Sequence, residues 1–148
     1  MSQLPYAQSF RDLMVYQKAR QLAREIFALT KKFPRDEMFS LNDQIRRSSR
    51  SIGAQIAEAW AKRRYEAPFI SKLTDADGEG FETQHWIETA LDCGYITQEQ
   101  TNALNAKYAE IGRLLAGMIA KASMFCGTPT YSIHEQAAEY FIVNSTDN

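Results

Sequence analysis

The stretch Phe39–Arg64, FSLNDQIRRSSRSIGAQIAEAWAKRR, decides the fold. Leu41, Ile45, Ile52, Ile56 and Trp60 recur at helical spacing and turn one apolar face toward a core. Beside that stripe run Ser49, Gly53, Ala57 and Ala61, each four residues from the next. Such residues share a row, and a row of small side chains lets a second helix approach closely. The next arc carries Arg46, Arg47 and Arg50, more cations than an ordinary half-buried helix holds. This segment reads as a helix that packs on two sides and keeps arginines in fixed places.

Outward from it, the chain is punctuated at regular intervals. Ser9-Phe10-Arg11-Asp12, Ser40-Leu41-Asn42-Asp43 and Thr97-Gln98-Glu99-Gln100 each place an acid or amide three residues after a hydroxyl, the pattern of a capping box. Stops fall at Phe33-Pro34, Ala67-Pro68, Gly94 and Gly127-Thr128-Pro129. The spacing predicts helices over 10–32, 40–65, 68–92 and 98–125, and no segment alternates long enough to be a strand. Short connections favour antiparallel neighbours. The expected fold is all-α, an antiparallel up-down-up-down four-helix bundle over residues 1–127. Residues 128–148 form a tail with a short helix expected around Ile133–Phe141.

Periodicity also names a core. The first helix is expected to turn Leu13, Tyr16, Leu22, Ile26, Leu29 and Phe33 inward. The fourth carries Leu104, Tyr108, Ile111, Leu115, Met118, Ile119, Ala122 and Phe125 on one stripe. In the third helix Ile70, Leu73, Phe81, Ile87 and Ala90 mark the inward arc, with Asp77 and Gln84 inside it. Gly78 and Gly80 sit mid-helix, where each costs about 1 kcal/mol relative to alanine. Trp86 falls nearly opposite that arc. It marks either a second buried surface used in self-association or a site beneath the tail.

The 148 residues suit one domain, and 45% apolar composition supports a real core. A net charge of −1 gives no global field toward nucleic acid or anionic lipid, so any such contact must come from a local patch. No apolar run approaches the length of a membrane span, and MSQLPYAQSF lacks the features of a secretion signal. A cytoplasmic location is expected. Cys93 and Cys126 flank a helix that separates them by roughly 40 Å, far beyond disulfide reach. Both are expected to be reduced, structural thiols.

Candidate chemistry is sparse. Glu82-Thr83-Gln84-His85 has the Glu-x-x-His spacing of di-iron bundles, but such a centre needs two of these motifs and two further glutamates facing inward. Metal, cofactor and catalytic residues are therefore expected to be absent. Cys93 with His85 lacks an orienting group, and the acidic Asp77-Gly78-Glu79-Gly80 would repel phosphate. The charges are better organised. Arg46, Arg47, Arg50, Lys62, Arg63 and Arg64 lie on the second helix, and Asp75, Asp77, Glu79 and Glu82 on the third. A fold-back near residue 66 would set Arg50 opposite Glu82 as a structural ion pair, between helices or between subunits. Alternatively some of these cations stay free to meet an anionic partner, with RNA the obvious candidate.

Several motifs match a known pattern in order: Phe10-Arg11-Asp12-Leu13, Phe33-Pro34, Leu41-x-x-Gln44-Ile45-Arg46-Arg47-Ser48, Ser51-Ile52, Ile56-Ala57-Glu58 and Gly94-Tyr95-Ile96. Over Phe10 to Ile119 the chain resembles the four-helix-bundle proteins encoded in intervening sequences of bacterial 23S rRNA genes, loosely called S23 ribosomal proteins. It is also similar to the accessory variability determinant of diversity-generating retroelements. The resemblance implies a four-helix protomer, a ring-like homopentamer and no known catalytic activity. For the retroelement relative it implies contact with a reverse transcriptase and nucleic acid. Those relatives are strongly basic, whereas this chain is not. Ala59 stands where the family usually has glycine, and Gly78-Glu79 where Gly-Ser is typical.

Overall fold

Leu13 divides the first predicted helix in two. The Ser9 side chain accepts from Arg11 N–H while the Asp12 carboxylate accepts from Ser9 N–H, closing a capping box on a 3₁₀ turn, Phe10–Asp12. Leu13 then runs extended at φ −74°, ψ 128° and buries its side chain. Only after it does α1 begin, at Met14–Thr30. The computed structural model describes residues 7–127 and Phe141. Its other long elements are α2 (Leu41–Ala61), α3 (Glu66–Asp92) and α4 (Gln98–Ala120), with no strand among the described residues.

The helix ends show which sequence signals act. The Thr97–Gln100 box forms and starts α4. Ser40 makes no side-chain cap. Pro68 does not separate α2 from α3. It sits in the first turn of α3, where a backbone N–H has no intrahelical partner to lose, so the break falls at residues 62–65. Gly94 adopts φ +77°, and the bonds from Gly94 N–H to Leu91 O and Tyr95 N–H to Ala90 O, both 2.9 Å, complete a Schellman stop. After α4 a 3₁₀ turn, Ala122–Met124, leads to Gly127, whose N–H donates to Arg63 O at 3.1 Å.

Leu41, Ile45, Ile52, Ile56 and Ala59 of α2 belong to one continuous core with Leu104, Tyr108, Ile111, Leu115 and Met118 of α4. On α1 the buried apolar positions are Val15, Ala19, Leu22 and Ile26, while Tyr16 and Leu29, expected inside, are half-buried. The inward face of α3 is also rotated from expectation. Phe69, Leu73, Ala76, Thr83, Ile87 and Ala90 are buried, whereas Phe81 is 66% exposed and Ile70 only half-buried. Size decides this. Ser48 and Thr83 touch through their hydroxyls at 2.9 Å, and a phenyl ring would not fit where α2 and α3 come that close.

Phe141 packs edge-on against Phe125 at 5.6 Å. A Cβ on Gly117 would lie only 3.0 Å from its ring, so glycine is what admits it. The rest of the expected tail helix, Ile133–Phe141, lies outside the described residues. No helix among the described residues is long and apolar enough to cross a membrane.

Candidate nucleic-acid interface

Phe27 stands on α1 with 36% of its surface exposed. Three cations crowd its ring: Lys31 Nζ at 4.6 Å, Arg46 Cζ at 4.7 Å and Arg50 Cζ at 5.4 Å from the centroid. Arg46 Nε also donates to Thr30 Oγ1 at 2.7 Å, and the buried Thr30 hydroxyl donates in turn to Phe27 O at 3.0 Å. Asn42 Nδ2 binds Thr30 O at 3.1 Å and fixes α2 against the end of α1. The aromatic face holds the positive groups together without neutralising them, each contact contributing about 0.5–1 kcal/mol at an exposed site.

Arg20 and Arg24 extend this cluster. With Phe27 and Lys31 they follow the spacing i, i+4, i+7, i+11, which keeps all four on one stripe of α1, and both arginines are exposed. Asp43, one turn ahead of Arg46, makes no ion pair among the described residues. The ion pairs among the described residues lie elsewhere. Lys18–Glu110 at 3.1 Å and Lys107–Glu25 at 2.7 Å join α1 to α4, and Lys72–Glu58 at 2.9 Å joins α3 to α2. Lys72 holds the Glu58 carboxyl below its usual range, chiefly by hydrogen bonding. Carboxylates thus meet cations on those two faces, while Lys31, Arg46 and Arg50 on the α1–α2 face have no carboxylate paired to them among the described residues.

Between α1 and α2 the small row faces Tyr16, Ala19 and Ala23. Gly53 would place a Cβ 3.5 Å from Tyr16 Cε2, an ordinary contact. Toward solvent α1 does not fill the row, and a groove of about 240 Å³ remains, with Arg20 and Arg50 among its walls.

The six cations singled out from sequence occupy three places. Arg46 and Arg50 face α1. Arg47 lies on the α3 side, where it and the Ser51 hydroxyl counter the rise in Glu79's pKa caused first by burial and then by Glu82. Lys62, Arg63 and Arg64 sit past the end of α2, which closes roughly 22 Å along the helix from Arg46. Arg63 is committed to the fold: its Cζ lies 3.7 Å over Trp60, its Nη1 donates to Trp60 O, and burial lowers its pKa. Arg64 lies over Tyr65 at 5.6 Å.

Among the described residues of the protomer, Arg50 and Glu82 do not pair. The fold-back register is nearly as expected, since Ser48 meets Thr83 and Glu58 meets Lys72. The error is angular: Arg50 rotates toward Phe27 of α1, while Glu82 stays beside Glu79 on α3.

Trp86 is half-buried against the core rather than outward. Its indole N–H is enclosed with no partner among the described residues, and its ring lies 4.7 Å from the exposed His85. Phe81 is the exposed aromatic of α3. It borders a groove of about 490 Å³ between α3 and α4, whose walls include Asp77, Gln84, Tyr108 and Arg113. Burial raises the pKa of Asp77 there. Cys126 is buried, with its thiol pushed up to about 11, but Cys93 is exposed and so is no packed structural thiol. Phe27, Lys31, Arg20 and Arg24 escaped the sequence reading, although their regular spacing along α1 carried the signal.

The architecture defines a class, the antiparallel four-helix bundles, here with Lys31, Arg46 and Arg50 gathered around Phe27 on one face. The family model of the 23S rRNA-intervening sequence protein matches residues 11–117, and the chain belongs to that family. Among solved structures it is similar to a protein with unknown function from the S23 ribosomal protein family of Bacteroides thetaiotaomicron VPI-5482. The two share 37% identity with a TM-score of 0.65, over 72% of this chain and 95% of that one. No curated protein matches the chain.

Proposed function

We propose that this protein is a non-enzymatic bundle that binds the phosphate backbone of RNA through its α1–α2 face. The observation that carries the reading is the cluster of Lys31, Arg46 and Arg50 around Phe27 with no carboxylate paired to any of them. Guanidinium groups held in place match phosphate geometry and release counterions when they bind. With a net charge of −1 the protein exerts no long-range pull, so binding is weak and local. Phosphate contacts carry no base information, so it is also insensitive to sequence. The family's description ties these proteins to 23S rRNA intervening sequences, which makes RNA the polyanion to test. A homo-oligomeric ring would repeat the patch and raise avidity without any new contact.

A second reading, a protein-binding scaffold, is favoured by the exposed Phe81 beside the α3–α4 groove. It assigns that face, rather than Trp86, to self-association or to a protein partner.

The two readings separate in one experiment: binding of short unstructured RNA at about 50 mM salt. Charge reversal, Arg46→Glu/Arg50→Glu, should abolish binding with the oligomeric mass unchanged, while Phe81→Ser should lower the mass only if the α3–α4 face is an interface. No RNA binding by the native protein would sink the first reading.

A further inference from the structure

Arg50 belongs to two features at once: it lies over Phe27 in the cation cluster and forms a wall of the α1–α2 groove. A phosphate held by Arg46 and Arg50 therefore has an apolar slot beside it rather than flat surface. Phe10 and Tyr16, packed edge to face at 4.9 Å, line it together with Gly53, Ala57 and Arg20. Among the described residues no acidic side chain lines the slot. Its roughly 240 Å³ falls short of the 300–1,000 Å³ that drug-sized ligands fill, and suits a single planar ring system.

We infer that this groove takes an unpaired nucleobase, so that the bound RNA is single-stranded. The inference rests on the proposed phosphate-binding role and adds its substrate class. A base attached to a phosphate on Arg46 and Arg50 enters beside Arg50, whose guanidinium plane and the Tyr16 ring offer stacking surfaces. A duplex cannot use the slot, because its bases are paired and stacked within the helix. Duplex RNA meets only the cations, and the groove gives a single strand its advantage.

The test compares three probes on the intact protein at low salt: a short unstructured RNA, the same strand with abasic substitutions, and an RNA duplex of equal phosphate count. The native protein should bind the unstructured strand about tenfold more tightly than either other probe, as stacking of a base commonly contributes. Gly53→Leu, which places a side chain in the slot while leaving the cations, should remove that preference and keep the residual affinity. The abasic comparison uses native protein, so it stands even if the variant folds poorly. Equal binding of all three probes by the native protein would overturn the base-binding inference and leave the phosphate reading intact. Undiminished binding by Arg46→Glu/Arg50→Glu, or no binding of any probe, would overturn both.

Discussion

The hydroxyls of Ser48 and Thr83 meet at 2.9 Å in the buried seam between α2 and α3. Ser48 also reaches Ile45 O at 3.3 Å, and Thr83 lies 2.8 Å from Glu79 O, so each hydroxyl keeps a backbone acceptor within reach. The contact between the two hydroxyls, unlike those to the backbone, forms only in one alignment of the helices. Thr83→Val should cost about 1 kcal/mol, the net worth of a typical internal hydrogen bond. Adding Ser48→Ala should cost less than the two single changes summed. Urea unfolding of the four proteins measures this cycle, and additive losses would show that the hydroxyls do not act together.

Two glycines of the α3 hairpin should respond in opposite directions. Gly94 holds φ +77°, and no atom lies within 4 Å of a Cβ added there, so Gly94→Ala suffers a backbone penalty alone, about 1–2 kcal/mol. Gly78 is equally unobstructed but sits inside α3 without a positive φ. Gly78→Ala should stabilise the fold by about 0.5–1 kcal/mol. Thermal midpoints moving the same way in both variants would contradict the capping argument.

Glu79 gives stability a pH dependence of known sign. Burial, and then the neighbouring Glu82, hold its folded pKa above the ordinary glutamate value. Such a group favours the folded state while protonated. Its contribution is complete below the ordinary glutamate pKa and is lost as pH rises through the higher folded value. Burial raises Asp77 with the same sign. Glu79→Gln should therefore stabilise the protein at neutral pH and change it little in acid. Urea midpoints compared between about pH 4 and pH 7 check this. A difference between native and variant that does not vary with pH would contradict it.

The helices were legible because their ends carry discrete chemistry: Thr97 with Gln100, and Gly94 in its left-handed turn, mark boundaries that packing did not override. The face of α3 was not legible. Hydrophobicity favoured Phe81 over Thr83, but close approach of α2 favours the smaller side chain and leaves the phenyl ring outside. The same limit governs the site. Arg46 and Arg50 were visible as cations on α2, yet their shared partner is an aromatic ring on α1, and no local spacing reveals a contact between helices. Register alone sets Arg50 opposite Glu82, but the rotation of α2 turns the guanidinium to Phe27 instead. With no contact between them, Arg50→Ala and Glu82→Ala should affect stability additively.

The salt dependence of RNA binding tests the central claim most directly, because its slope counts neutralised phosphates at about −0.7 each for single strands. Arg46→Ala/Arg50→Ala should make the slope shallower by about 1.4, the loss of two phosphate contacts. Lys62→Ala/Arg64→Ala, at the far end of α2, should leave it unchanged. A slope unaltered by the first pair, or reduced by the second, would contradict the assignment of the α1–α2 face.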